Sequence, residues 1–228
     1  MIKSSTPSVA LPRTRGRVEV AASLAIVAAG AALLLLAGLH ILSPEFDPSW
    51  RVVSEYANGR YGWLLSLMFA SWAVSSFALA FAIRSRVRTH GGRIGLGFLV
   101  LAGVGQAMAA VFDINHPLHD LAGVLGIGGL PVAAMLISVS LIRTQPWFAS
   151  RKALLWTANL TWVSVVLMAA TFAIMIATYL SAGGDMTAKV VTALPPGVLG
   201  LVGWTNRLLI VAYCAWVITV AWQARRIG

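Results

Sequence analysis

The nine residues Phe112-Asp113-Ile114-Asn115-His116-Pro117-Leu118-His119-Asp120 carry two imidazoles and two carboxylates. Imidazole nitrogen and carboxylate oxygen suit zinc, and imidazole also exchanges protons near neutral pH. His116, His119 and Asp113 are therefore candidate metal ligands, with His40 as a further imidazole from elsewhere in the chain. A zinc ion held there would activate water for hydrolysis. The structural alternative uses the same residues differently. Asp113 or Asn115 caps a helix end, and Asp120 is a first-turn acid favoured by the helix dipole.

A second group surrounds Ser54-Glu55-Tyr56-Ala57-Asn58-Gly59-Arg60-Tyr61-Gly62-Trp63. Asn-Gly marks a turn, and Tyr61 and Trp63 are the aromatic type that anchors at a membrane interface. Ser54 is a candidate nucleophile or metal-polarised hydroxyl if an imidazole and an acid stand beside it. Glu55 either assists that chemistry or forms a plain salt link with Arg207 or Arg60. Arg207, in Trp204-Thr205-Asn206-Arg207, either binds a lipid phosphate or pairs with an acid. The candidate catalytic and ligand-binding set is thus Ser54, Glu55, Asp113, His119 and Arg207.

Six apolar stretches must position these groups: residues 20–41, 61–83, 94–112, 121–142, 153–180 and 201–223. Each is near or above the roughly 20 residues that cross a bilayer as a helix. The chain reads as an all-α, polytopic membrane protein: a disordered basic arm over residues 1–19, then one six-helix membrane domain over residues 20–226. The first stretch is longer than the apolar part of a cleavable signal, so it reads as an uncleaved span.

The charges sort by side. Lys3, Arg13, Arg15, Arg17, Arg84, Arg86, Arg88, Arg93, Arg143, Arg151, Lys152, Arg225 and Arg226 fall on one side of a six-span chain, against Arg51, Arg60, Lys189 and Arg207 on the other. Basic loops stay in the cytoplasm, so both termini are expected there, in a cell membrane. Glu45, Asp47, Glu55, Asp113, Asp120 and Asp185 lie on the outer side, and Glu19 on the inner. The net charge of +10 is spread over membrane-flanking segments, which excludes a nucleic-acid interface and fits contact with anionic headgroups. Cys214, the one cysteine, sits in the last span and excludes a disulfide framework or a cysteine-bound metal.

No Asp, Glu, Lys, Arg or His occupies the middle of a span, which argues against a proton- or ion-coupled carrier. Gln106, Ser138, Ser140, Ser164 and Thr171 supply only interhelical hydrogen bonds. Gly95, Gly97, Gly103 and Gly105 in the third span, and Gly123, Gly126, Gly128 and Gly129 in the fourth, let two helices approach closely. The fifth span is long enough to tilt or project. Pro195-Pro196-Gly197 stops a helix in the loop that follows it.

The segment Val53–Trp63, the pair Phe112-Asp113 followed by His119-Asp120, and Asn206-Arg207 before the last helix resemble the marks of the domain of unknown function 998 family of prokaryotic membrane proteins. The resemblance covers roughly residues 20–226 and implies six helices; it carries no agreed reaction. Three functions remain open. An outer-face polar pocket binds a lipid headgroup or small amphiphile, a zinc-dependent lipid hydrolase works at the same face, or a small lipid or solute carrier moves about the glycine-rich hairpin.

Overall fold

A computed structural model describes residues 13–185, 191 and 193–227. Six long helices dominate, and no strand occurs among the described residues. They are α1 (Arg13–Leu42), α2 (Gly62–Ile83), α3 (His90–Val111), α4 (His119–Leu141), α5 (Arg151–Ser181) and α6 (Val202–Ile227). A 3-10 turn, Val53–Asn58, and a one-turn helix, Gln145–Phe148, complete the elements. All six helices are long and apolar enough to cross a bilayer.

Most spans run past the expected stretch at one end at least, by one to seven residues, because hydropathy ends before the helix does. Arg, Lys and His keep helical backbone while their heads reach water. The largest change is at the start, where Arg13–Glu19 is helical rather than part of a disordered arm. After Pro12 no proline or turn residue pair interrupts the chain there. The rest of that expected arm lies outside the described residues, as does Lys189. Pro117 sits in the turn before the fourth span, and α4 starts at His119.

Consecutive helices are neighbours, and α6 returns against α1 and α2, so the ring closes. In the most apolar window of α6, 61% of the residues are buried, against 11% for α5. The core follows from this arrangement. Tyr213, Trp216, Val217, Val220 and Ala221 of α6 meet Leu79 and Ile83 of α2, Leu99 of α3 and Leu130 and Ile137 of α4. Polar ties fix the register. Trp216 Nε1 donates to Ser138 Oγ at 3.1 Å, and Tyr213 Oη donates to the Ile127 carbonyl at 2.5 Å. Thr89 caps α3 by accepting from Gly92 N and donates to Ser140 Oγ of α4. At 31 residues, α5 is about 46 Å long at 1.5 Å per residue, so it exceeds a ~30 Å hydrocarbon core.

The α3–α4 pair is as close as its glycines allow. A methyl carbon on Gly105 would stand 2.5 Å from Gly126 N and 2.6 Å from the Ala122 carbonyl oxygen. There α4 widens into a π-turn, Val124–Gly128. A wide turn of this kind often accompanies a functional site, and here Gly126 both packs against Gly105 of α3 and lines a cavity.

Candidate functional site

Two separate polar assemblies occupy the face opposite the arginine-rich loops. The first is a clamp around Arg207, one turn into α6 and buried. Its Nε donates to His40 Nε2 at 2.6 Å, and one terminal nitrogen donates to the carbonyls of Arg51 (2.7 Å) and Gly203 (2.9 Å). The other terminal nitrogen donates to Tyr56 Oη at 3.0 Å. His40 Nδ1 donates to the Leu36 carbonyl at 2.8 Å, so both nitrogens of His40 are engaged. Neither acid pairing nor open solvent holds Arg207: its acceptors are two carbonyls, a phenol and an imidazole. A buried guanidinium normally needs a carboxylate; here four charge-assisted hydrogen bonds take that place. Arg207 therefore ties α1, α6 and the loop before α2 together.

Glu55 pairs with Arg51 at 2.6 Å rather than with Arg207 or Arg60, and its other oxygen accepts from Val52 N at 3.0 Å. Asp113 accepts from Asn115 N at 2.9 Å, which is a local turn contact. Asn115 in turn donates to Asn58 Oδ1 at 2.9 Å, joining the α3–α4 loop to the 3-10 turn. Exposed His116 stacks on Phe112, with ring centroids 4.4 Å apart, and accepts from Leu118 N at 3.2 Å. Asp47, also in the loop before α2, is held below the usual carboxylate range chiefly by the Ser49 backbone N–H it accepts.

The second assembly is a cavity of about 80 Å³ between α2, α3, α4, α6 and the 3-10 turn. On the measure that assigns ~10–15 Å³ to one water, it holds a handful of waters or one small polar group. Ser54, His119 and Asn206 line it near the loop end, and Phe69, Trp72, Gln106 and Gly126 line it further down. His119 Nδ1 donates to the Phe112 carbonyl at 2.9 Å, which leaves the Nε2 lone pair available. Gln106 Oε1 accepts from Ser76 Oγ at 2.8 Å, but Gln106 Nε2 has no partner. Trp72 Nε1 also has none. Gln106 is 2% and Trp72 4% exposed, so two residues of the cavity lining carry buried donors without acceptors. Buried N–H groups without acceptors are uncommon and costly.

The structure therefore divides the expected site. Ser54 and His119 share the cavity, while Arg207 and His40 share the clamp. Glu55 and Asp113 serve the loops that frame both. Among the described residues no three His, Cys, Asp or Glu side chains gather as a metal would require. His40 is engaged at both nitrogens, whereas His119 is engaged only at Nδ1. Trp72 and Asn206 are cavity residues that the sequence reading had not singled out as site residues. Gln106 carried a signal, an amide within an apolar span; Trp72, among nine tryptophans, carried none.

No curated protein and no solved structure matches the chain. The three segments that meet on this face, Val53–Asn58, Phe112–His119 and Asn206-Arg207, lie within residues 26–223, over which the family described as "Protein of unknown function (DUF998)" matches. The chain belongs to that family of multi-span membrane proteins.

Proposed function

We propose that the cavity is a binding site for an uncharged, acceptor-bearing group of a lipid or small amphiphile, reached from the outer face of a cell membrane with both termini cytoplasmic. The orientation rests on the arginine-rich loops. The observation that carries the binding reading is the pair of buried donors without acceptors, Trp72 Nε1 and Gln106 Nε2. A carbonyl or ether oxygen between them removes the penalty of two unmade hydrogen bonds. No Arg, Lys, Asp or Glu lines the cavity, so nothing there neutralises a phosphate, and Arg207 is already bonded elsewhere. Ser54, His119 and Asn206 add polar contacts at the mouth, and the cavity's size admits a head fragment while a tail stays in lipid.

The test uses monoacylglycerol as the probe and native mass spectrometry of the detergent-purified protein. Gly126→Leu fills the cavity, because a first side-chain carbon at Gly126 meets nothing nearer than 3.8 Å. The wild type is expected to retain a monoacylglycerol adduct that Gly126→Leu loses, and to retain little lysophosphatidylglycerol. Equal adducts in both proteins, or preference for the anionic lipid, would overturn the reading.

A further inference from the structure

We propose that Ser54 and His119 make this cavity a hydrolytic site for uncharged carboxylic esters, an inference that rests on the binding reading above. It begins with what the 3-10 turn leaves unused. Val53 N donates to Asn206 Oδ1 at 2.9 Å, Glu55 is held by Arg51 and Val52 N, Tyr56 accepts from Arg207, and Asn58 accepts from Asn115. The backbone of the turn is thus anchored to α6, to the preceding loop and to the α3–α4 loop. Ser54, in the middle of these ties, has a half-buried hydroxyl that forms no hydrogen bond among the described residues, and it lines the cavity.

His119 lines the same cavity; no hydrogen bond joins it to Ser54 in the resting structure, and the bound ester would have to bring the two together, as catalytic hydrogen bonds commonly tighten only with substrate in place. Its Nδ1–H is committed to the Phe112 carbonyl, which fixes the tautomer and leaves Nε2 as the base. A nucleophile, a base and a third group orienting the base is the general pattern of activated serine chemistry, recognised by roles rather than by fold. The orienting group here is a backbone carbonyl. Trp72 and Gln106 of the same lining carry buried donors without partners, and holding the ester oxygen is the role assigned to them. Donors without acceptors in the resting site suit an oxygen that gains charge during reaction.

The step balances without a metal or redox partner. Ser54 Oγ attacks the ester carbonyl carbon while its proton passes to His119 Nε2, and the carbonyl oxygen takes the negative charge. The carbon–alkoxy bond then breaks, and the leaving alcohol takes the proton from His119. Water attacks the acyl-serine with His119 again as base, releasing the acid and restoring the serine hydroxyl.

An alkyl fluorophosphonate is the direct probe, because an activated serine displaces its fluoride and gains the phosphonyl mass. Wild-type protein in detergent is expected to be labelled at Ser54, with no label at that peptide in Ser54→Ala and labelling about 100-fold slower in His119→Gln, the usual scale for a lost general base. Ser54→Ala breaks no hydrogen bond of the fold, so a matching melting curve certifies it as the control. Absence of label in wild type, or label unchanged in Ser54→Ala, overturns the inference. If the monoacylglycerol adduct is present while Ser54 stays unlabelled, the hydrolytic inference fails and the binding reading stands. Because an active wild type would consume the ester, Ser54→Ala, which cannot form the acyl-serine, carries the adduct measurement: if that variant also shows no adduct, the binding reading fails, and the inference that rests on it fails too.

Discussion

Replacing Arg207 with methionine tests whether four hydrogen bonds from one guanidinium hold the outer loop in place. Methionine retains much of the apolar stem and removes the donors. The Gly203 carbonyl lies in the same helix, so the bonds that join different elements are those to His40, the Arg51 carbonyl and Tyr56. At about 1–1.5 kcal/mol each, their loss costs about 3–4.5 kcal/mol. Removing a buried charge that has no carboxylate returns part of this, leaving a net loss of roughly 2–3 kcal/mol. For a soluble domain of this size, 1 kcal/mol moves the melting temperature by about 2–4 °C, so the expected fall is about 5–10 °C. Cys214 supplies the assay: it is fully buried in α6, so a fluorogenic thiol dye reports its exposure on unfolding. Arg207→Lys keeps the charge but loses the planar fork and is expected to fall between the two. A methionine variant melting within about 1 °C of wild type would refute the clamp, and so would a lysine variant indistinguishable from wild type.

Gly105→Ala drives its methyl carbon into the α4 backbone and is expected to destabilise by about 1–3 kcal/mol, the scale of overpacking. Gly97→Ala, with nothing within 4 Å, is expected to be neutral or to gain up to ~1 kcal/mol of helix propensity; the same thiol-dye melts separate the two. Because Asp47 ionises below its ordinary value of 3.8, its contribution is fully present above that pH and is lost as pH falls through the lowered value. Asp47→Asn is therefore expected to flatten stability against pH only below about pH 4, read by the same melts in acid buffers. Reporter fusions at the C-terminus are expected to give fluorescence from a cytoplasmic fluorescent protein and no alkaline phosphatase activity; the reverse would invert the orientation.

The six spans were legible because lipid leaves the chain little choice: backbone groups must bond internally, and about 20 apolar residues mark each crossing. The close α3–α4 approach was legible for the same kind of reason, since Gly105 admits no side chain. The partners of Arg207 were not. Charge reasoning searches for an acid, whereas the acceptors found are carbonyls and neutral rings, and a backbone carbonyl leaves no mark in a sequence. The histidines show a finer limit. His116 and His119 stand three residues apart, but the turn before α4 leaves one stacked on Phe112 in the open and sets the other into the cavity wall. The π-turn at Gly126 was equally hidden, because the glycines of Val124–Gly128 mark a close helix approach but not the widening of the backbone turn.

The clamp and the cavity are adjacent in the chain, and this explains why so much polar structure surrounds so small a space. Asn206 and Arg207 are consecutive: the first accepts from Val53 N, the second donates to Tyr56 Oη. Together they grip the 3-10 turn on both sides of Ser54. A loop hydroxyl held only by its own short turn would sample many positions, because such turns are marginal alone. Gripped from α6 at residues 53 and 56, it has a defined place relative to His119, which α4 and the Phe112 carbonyl position independently. Loosening the clamp should therefore be felt in the cavity before the fold is lost. If Arg207→Lys weakens monoacylglycerol retention while the protein remains folded by the Cys214 criterion, the clamp acts on the cavity. If retention survives a clear fall in melting temperature, the two assemblies are independent and the clamp serves stability alone.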